Sequence, residues 1–405
     1  MAAGDTDVAN QPSKRKPRRR RRRSAHRLHP AWLLAGALAA GMVLGAGLVG
    51  LIWWRQPPRE IVVTVPGVPD PLHTPPSQYV WTDQPAPLFP IPPYAKHLRG
   101  VSVVLDPGHV GQRDRGGTWK RGPTGLREAE VNLRVALFLR EFLSAAGANV
   151  VLTREVDRSL GLSDDDDLAA RVKLANDRRA DLFLSIHHNG HDKPEPNFTS
   201  IFYHESPEHS RASVCAALHL LGGLADALRL EQHLDAGVLS DRLLYKNGLA
   251  VLRQARVPAV LTEASFHSNP QEETRLRDPV YNRREAYGLF LGLARWAQAG
   301  LPRVRLASGQ DRAVKAGRDV LLQLDDGLRG RGGWGTDSFD VLRESIDVRL
   351  NGERLDYAYD GVSERLRVTI PRSVKPGPRD LYVGFQNAYG QHVLHPLVPV
   401  EVQRP

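Results

Sequence analysis

Between Val101 and Gly300 short apolar runs alternate with helical stripes, and this alternation constrains the fold more than any other feature of the chain. Val101–Leu105 is a β-branched run cut off by Asp106-Pro107-Gly108. Glu128–Ala145 places apolar residues at Val131, Val135, Phe138, Leu139 and Phe142, the i, i+4, i+7 stripe of a helix with one buried face. Gly147 follows as a stop signal. "NVVLTR" (Asn149–Arg154) and "DLFLSIH" (Asp181–His187) read as a second and third strand. Ser200–Glu205 and Pro258–Ser265 read as two more, with a long helix between them, and Tyr281–Ala299 closes the unit as a helix. Strands alternating with helices predict an α/β fold, a mostly parallel or mixed sheet with helices on both faces. The acids Asp164–Asp167 follow Ser163, and a hydroxyl cap with acids in the first turn suits the positive end of a helix. That run is read as a helix start and not as a metal site.

In such sheets ligands bind beyond the carboxyl ends of the strands. The first strand runs into "VVLDPGH", where the Asp-Pro-Gly turn delivers His109. The third ends in His187, and another carries Glu263, so these three residues are candidates for one cleft despite their separation in sequence.

Four blocks in this order resemble the zinc-dependent N-acetylmuramoyl-L-alanine amidases that open with Asp-Pro-Gly-His. They are "VVLDPGH", "GLREAEVNL" (Gly125–Leu133), "ADLFLSIHHN" (Ala180–Asn189) and "VPAVLTEASFHSNPQE" (Val257–Glu272). "LAARVKLAN" and "LLYKNGLAVLRQ" fit the same family, and the resemblance covers Val101 to about Gly300. It implies His109, Glu128 and His187 as ligands of Zn2+ and Glu263 as the catalytic acid-base. The implied reaction is hydrolysis of the amide joining N-acetylmuramic acid to L-alanine in peptidoglycan. Zinc chemistry agrees, since catalytic sites take three protein ligands from His and carboxylate and keep one position open. Asp106 is expected to orient the turn or a ligand without binding metal itself.

The chain departs from that family's pattern in three places. After His109 it reads Val-Gly-Gln-Arg-Asp, where Gly-Gly-x-Asp-x-Gly is common. His188 stands where a small residue is usual and is a candidate alternate ligand or substrate contact, but successive strand residues face opposite sides, so His187 is kept as the ligand. His267 is a weaker candidate for a substrate contact. Two other classes compete: a zinc peptidase or amidohydrolase on another cell-wall bond, and a non-catalytic wall-binding scaffold. The scaffold is disfavoured because all four site residues are present.

The rest of the chain divides by composition. Residues 1–30 form a basic tail that carries +8 of the formal net charge of +10 and leaves a balanced remainder with no footprint for nucleic acid. Residues 31–54 are 24 uncharged residues bearing Trp32, Trp53 and Trp54, long enough for a transmembrane helix. The one-sided Arg cluster puts the tail in the cytoplasm and everything after it on the periplasmic or extracytoplasmic side of the cytoplasmic membrane. Residues 55–97 hold 12 of the 30 prolines and read as a linker; residues 98–301 are the expected zinc amidase domain. Residues 302–405 alternate apolar and polar positions between Asp-Gly, Asn-Gly and Pro-Gly turns, predicting a small all-β, sandwich-like domain. Asn351-Gly352 is read as a type I′ hairpin turn. The partners implied are peptidoglycan, the membrane, and a protein activator or wall contact at the β domain. The single cysteine, Cys215, reads as a core residue of "SVCAALHLLGGLADALRL", a segment that either occludes the site or covers the sheet, the second being favoured.

Overall fold

A computed structural model of the chain describes residues 89–110, 120–206, 209–228, 237–328 and 341–405. The expected basic tail and transmembrane helix lie outside them, as does most of the proline-rich stretch. Among the described residues no helix is long and apolar enough to cross a membrane. From Phe89 onward the proline-rich stretch is packed. Phe89 meets the rings of Phe142 and Tyr287, and a 3-10 turn at Pro93–Leu98 buries Ala95 and Leu98.

The α/β region is built on six strands: β1 (Ser102–Pro107), β2 (Asn149–Leu152), β3 (Leu182–Asn189), β4 (Ser200–Tyr203), β5 (Gly237–Ser240) and β6 (Ala259–Phe266). Their order is β2-β1-β3-β6-β4-β5. The first four are mutually parallel, β4 runs antiparallel to β6, and β5 is parallel to β4, so the sheet is mixed. The helices are α1 (Glu128–Ala145), α2 (Asp164–Asp177), α3 (Ala212–Leu228), α4 (Ala250–Arg253), α5 (Pro270–Leu276) and α6 (Pro279–Gln298). Alternate residues of β1 and β3 separate two cores. Val103, Leu105, Leu182 and Leu184 pack with α1, α3 and α6, whereas Val104 and Phe183 pack with α2 and α4. Both faces are therefore covered, as the apolar runs required.

Sequence pattern misses β5, α4 and α5, all short, because four to seven residues are too few to show a period. Ser163 caps α2 in a full capping box with Asp166, so the acid run is a helix start. α3 is a sheet-covering helix: a Cβ on Gly223 would lie 2.2 Å from the Gly288 carbonyl oxygen of α6, a contact that only a hydrogen permits.

Nine further strands follow: β7 (Arg303–Leu306), β8 (Ala313–Lys315), β9 (Asp319–Asp325), β10 (Asp347–Leu350), β11 (Glu353–Arg354), β12 (Tyr357–Asp360), β13 (Arg365–Thr369), β14 (Gly377–Gly384) and β15 (Leu397–Gln403). They form a five-stranded sheet, β11-β10-β14-β15-β8, and a four-stranded sheet, β12-β13-β9-β7, over one shared core. Asn351 and Gly352 join β10 to β11 with φ of 53° and 85°, the two positive values a type I′ turn needs. This β region is docked firmly on the α/β region. Leu301 and Leu394 belong to the α/β core, and Asn387 Nδ2 donates to the carbonyls of Ala299 (2.9 Å) and Asp326 (3.0 Å). Asp181, leading into β3, accepts from Ser102 N at 3.0 Å and pairs with Arg303 at 2.8 Å.

Candidate metal centre

The turn after β1 is held from several sides. Gly108 N donates to Ile186 O of β3 at 2.9 Å, and His109 takes a left-handed φ of 58°, uncommon for a non-glycine residue. Gly108 is required by its neighbour: a Cβ there would lie 2.1 Å from Cε1 and Nε2 of His187. Two buried arginines clamp the turn's carbonyls. Arg154 donates to Pro107 O and Gly108 O, each at 2.9 Å, and Arg171 to Pro107 O at 2.8 Å and His109 O at 3.2 Å. Asp106 fixes Arg171 through Oδ1 at 2.7 Å and also accepts from Thr153 and Ser185. Burial alone would raise the Asp106 pKa, but Arg171 and the two hydroxyls hold it below the ordinary value. Burial and the adjacent Arg171 pull Arg154 down to about 10, so it stays charged at neutral pH. Asp106 thus orients the turn, as expected, and the two arginines are the functional residues that sequence reasoning missed. Each stands in a quoted segment, "NVVLTR" and "LAARVKLAN", but neither spacing nor residue type marks a clamp.

Glu128 is the first residue of α1. The approach to that helix is fixed by buried Glu273, which accepts from Thr124 N and Leu126 N. The result brings three distant side chains together: potential ligand atoms of His109, Glu128 and His187 all lie within 4.8 Å of one another. His109 Nε2 is 3.0 Å from Glu128 Oε2, and His187 Nδ1 is 3.1 Å from Glu128 Oε1. The carboxylate is buried and the imidazoles are partly exposed. Burial works to raise the Glu128 pKa, but the two histidines hold it well below the carboxylate range; burial in turn lowers that of His187. An ionised carboxylate, and an imidazole that burial keeps neutral at His187, are the protonation states a cation needs from such ligands.

Glu263 stands level with His187 on the adjacent parallel strand β6. Its Oε2 is enclosed and takes no hydrogen bond from the described residues. Burial first, and then the charge of Glu128, push its pKa well above the ordinary carboxyl value.

His188 faces away from the site, as strand alternation requires. Its Nδ1 lies 2.8 Å from Asn132 Oδ1 and its Nε2 3.0 Å from Glu285 Oε2, both in the interior. Burial would lower its pKa, but Glu285 raises it above the ordinary value. It supports the site through its backbone N, which donates to Glu128 Oε1 at 3.1 Å. His267 is only 1% exposed, with Nδ1 3.1 Å from His188 O, so it is an interior residue and not a substrate contact.

Residues 103–295 match the profile of the N-acetylmuramoyl-L-alanine amidases. Over these residues the chain is similar to that family. Among curated relatives, the germination-specific N-acetylmuramoyl-L-alanine amidase of Bacillus subtilis is 29% identical over 213 residues, half of this chain and 83% of that protein. N-acetylmuramoyl-L-alanine amidase LytC of the same species is 30% identical over 193 residues, 48% of this chain but 35% of LytC. A solved structure, the catalytic domain of the amidase CwlV from Bacillus (Paenibacillus) polymyxa var. colistinus, is 30% identical over 48% of this chain and 97% of that one, with a TM-score of 0.41. The family profile and the curated relatives bear out, for the α/β region, the amidase class expected from the motif blocks.

Proposed function

We propose that the chain is a membrane-tethered, zinc-dependent enzyme. It cleaves the amide between the lactyl group of N-acetylmuramic acid and L-alanine of the peptide stem. The observation that carries the reading is the convergence of His109, Glu128 and His187 with Glu263 on the next strand. Two imidazole nitrogens and one carboxylate oxygen fit Zn2+ and leave a position open. When bound, zinc acidifies water and polarises a carbonyl. Around it, the Arg154 and Arg171 clamp fixes the His109 backbone, while Asn132 and the His188 N–H fix Glu128. Glu263, enclosed beside His187 on the next strand, accepts a proton from water at its carboxylate oxygen and delivers it to the departing L-alanine amine. The uncharged segment 31–54 holds the enzyme on the outer side of the cytoplasmic membrane, where peptidoglycan lies.

Mass spectrometry of purified sacculi digested with the protein tests the bond assignment. The expected products are peptides with a free L-alanine amino terminus and glycans retaining the lactyl carboxylate, both abolished by a chelator. Cleavage at any other peptide bond, or release that persists in chelator, contradicts the proposal.

A further inference from the structure

A second concavity lies apart from the metal centre. A cleft of about 1830 Å³ opens between α3 and the five-stranded sheet. Because β4 runs antiparallel to β6, Ser200 is level with Glu263 and Phe202 with Leu261. Tyr203 and His204, which line the cleft, are carried toward the opposite end of the sheet, roughly 10 to 13 Å from the Glu263 level at ~3.3 Å per residue. The cleft exceeds the ~300–1,000 Å³ of ordinary small-molecule pockets and suits an extended chain.

Its walls carry both signs of charge. Five arginines line it, Arg211 and Arg242 on one side and Arg312, Arg349 and Arg379 on the other. Arg349 pairs with Asp347 at 2.8 Å, and Arg379 is turned onto the carbonyls of Pro378 and Lys375. The guanidinium groups of Arg211, Arg242 and Arg312 make no ion pair or hydrogen bond among the described residues. Glu205, Asp380 and Glu401 also line the cleft, equally without an ion pair there. His204 is braced behind by buried Asp241, 3.0 Å from its Nδ1, and Val214, Leu218, Tyr382 and Leu397 add apolar surface. Burial and Arg211 push His392 down to about 4, so this imidazole is neutral and the guanidiniums supply the fixed positive charge.

We infer that this cleft binds the peptide stems of peptidoglycan, away from the bond being cut. This rests on the substrate reading above. A stem is an extended peptide with several carboxylates, an ammonium and short aliphatic side chains, and the cleft offers a counterpart to each. A polyphosphate would meet the three unpaired carboxylates. Holding one stem in the cleft raises the effective concentration of neighbouring stems at the metal centre.

The zinc-loaded full chain in detergent tests this with Arg211→Glu/Arg312→Glu. Sacculus binding is measured by co-sedimentation in a Glu263→Gln background, so that the polymer is not consumed. The same charge reversal in the active enzyme gives the ratio of turnover on sacculi to turnover on a soluble disaccharide-peptide. Reversal is expected to weaken sacculus binding about tenfold or more and to lower the ratio similarly. Binding by the unreversed protein should weaken with salt. Arg211→Lys/Arg312→Lys, which keeps the charge, should retain most of the binding. Unchanged binding and ratio after reversal overturn the inference, as does equal loss in the Lys pair. Equal binding to glycan strands stripped of their peptides, or displacement by a phosphodiester polymer and not by free stem peptides, also overturns it. Failure of the amidase reading looks different: no form cleaves the disaccharide-peptide, while the sacculus-binding comparison still stands.

Discussion

Replacing Gly108 by alanine tests how the turn and the metal ligands depend on each other. The new methyl would lie 2.1 Å from two atoms of the His187 ring, where carbon contacts need about 3.5 Å. Something must move by about 1.4 Å, against a tolerance near 0.2 Å in a metal–ligand distance. The Gly108 backbone is held at both ends of the residue, its N–H donating to Ile186 O and its carbonyl accepting from Arg154 and Asn132. The His187 ring must therefore swing off Glu128. One ligand of three is then misplaced, and zinc affinity should fall at least ~100-fold, the upper end of what losing a ligand's support costs. The fold should lose only about 1–3 kcal/mol, the usual cost of overpacking. Gly222→Ala is the control: nothing lies within 4 Å of a Cβ there, and alanine in a helix is favoured by about 0.5–1 kcal/mol. Zinc affinity from chelator competition and a thermal melt on both variants decide it. Gly108→Ala with zinc affinity near that of the parent refutes the reasoning.

Two further outcomes are expected. Asp181 is pulled from the ordinary 3.8 to about 2, burial opposing and His395 and Arg303 prevailing, so its stabilising effect is present above pH 3.8 and lost as pH falls toward 2. Since Arg303 is about half exposed, the effect is discounted to roughly 1 kcal/mol. Denaturation of Asp181→Asn should differ from the parent by that amount at neutral pH and converge near pH 2, and parallel curves would contradict it. For topology, a reporter active only outside the cytoplasm and fused after Arg59 should be active, since the Arg-rich tail keeps the amino terminus inside. Activity only from an amino-terminal fusion reverses the orientation.

The sheet and its covering helices were legible because β1, β3 and β6 are buried on both faces and read as continuous apolar runs, while α1 shows a clear stripe. Strand alternation also placed His188 opposite His187. The Asn351-Gly352 turn was legible for a local reason, its two positive φ values. The Arg154 and Arg171 clamp was not, because its hydrogen bonds run to backbone carbonyls 46 and 64 residues away, and backbone acceptors leave no mark in side-chain identity. His267 misled for a related reason: a histidine four residues past Glu263 looks adjacent to the site, yet the chain turns after β6 and tucks the ring against the His188 carbonyl. The cleft between the two regions could not be read at all, since its walls come from segments far apart in the sequence.

Zinc content beside turnover for Glu263→Gln tests the central claim most directly. Glu263 stands level with His187, but it belongs to neither the ligand triangle nor the hydrogen bonds that shape it. The account predicts that Glu263→Gln keeps close to one zinc per chain while cleavage of a disaccharide-peptide falls by ~10²–10⁴-fold, the worth of general acid-base assistance. His187→Ala, assayed in parallel, should lose both metal and activity. Loss of zinc from Glu263→Gln, or turnover near that of the parent with zinc retained, contradicts the account.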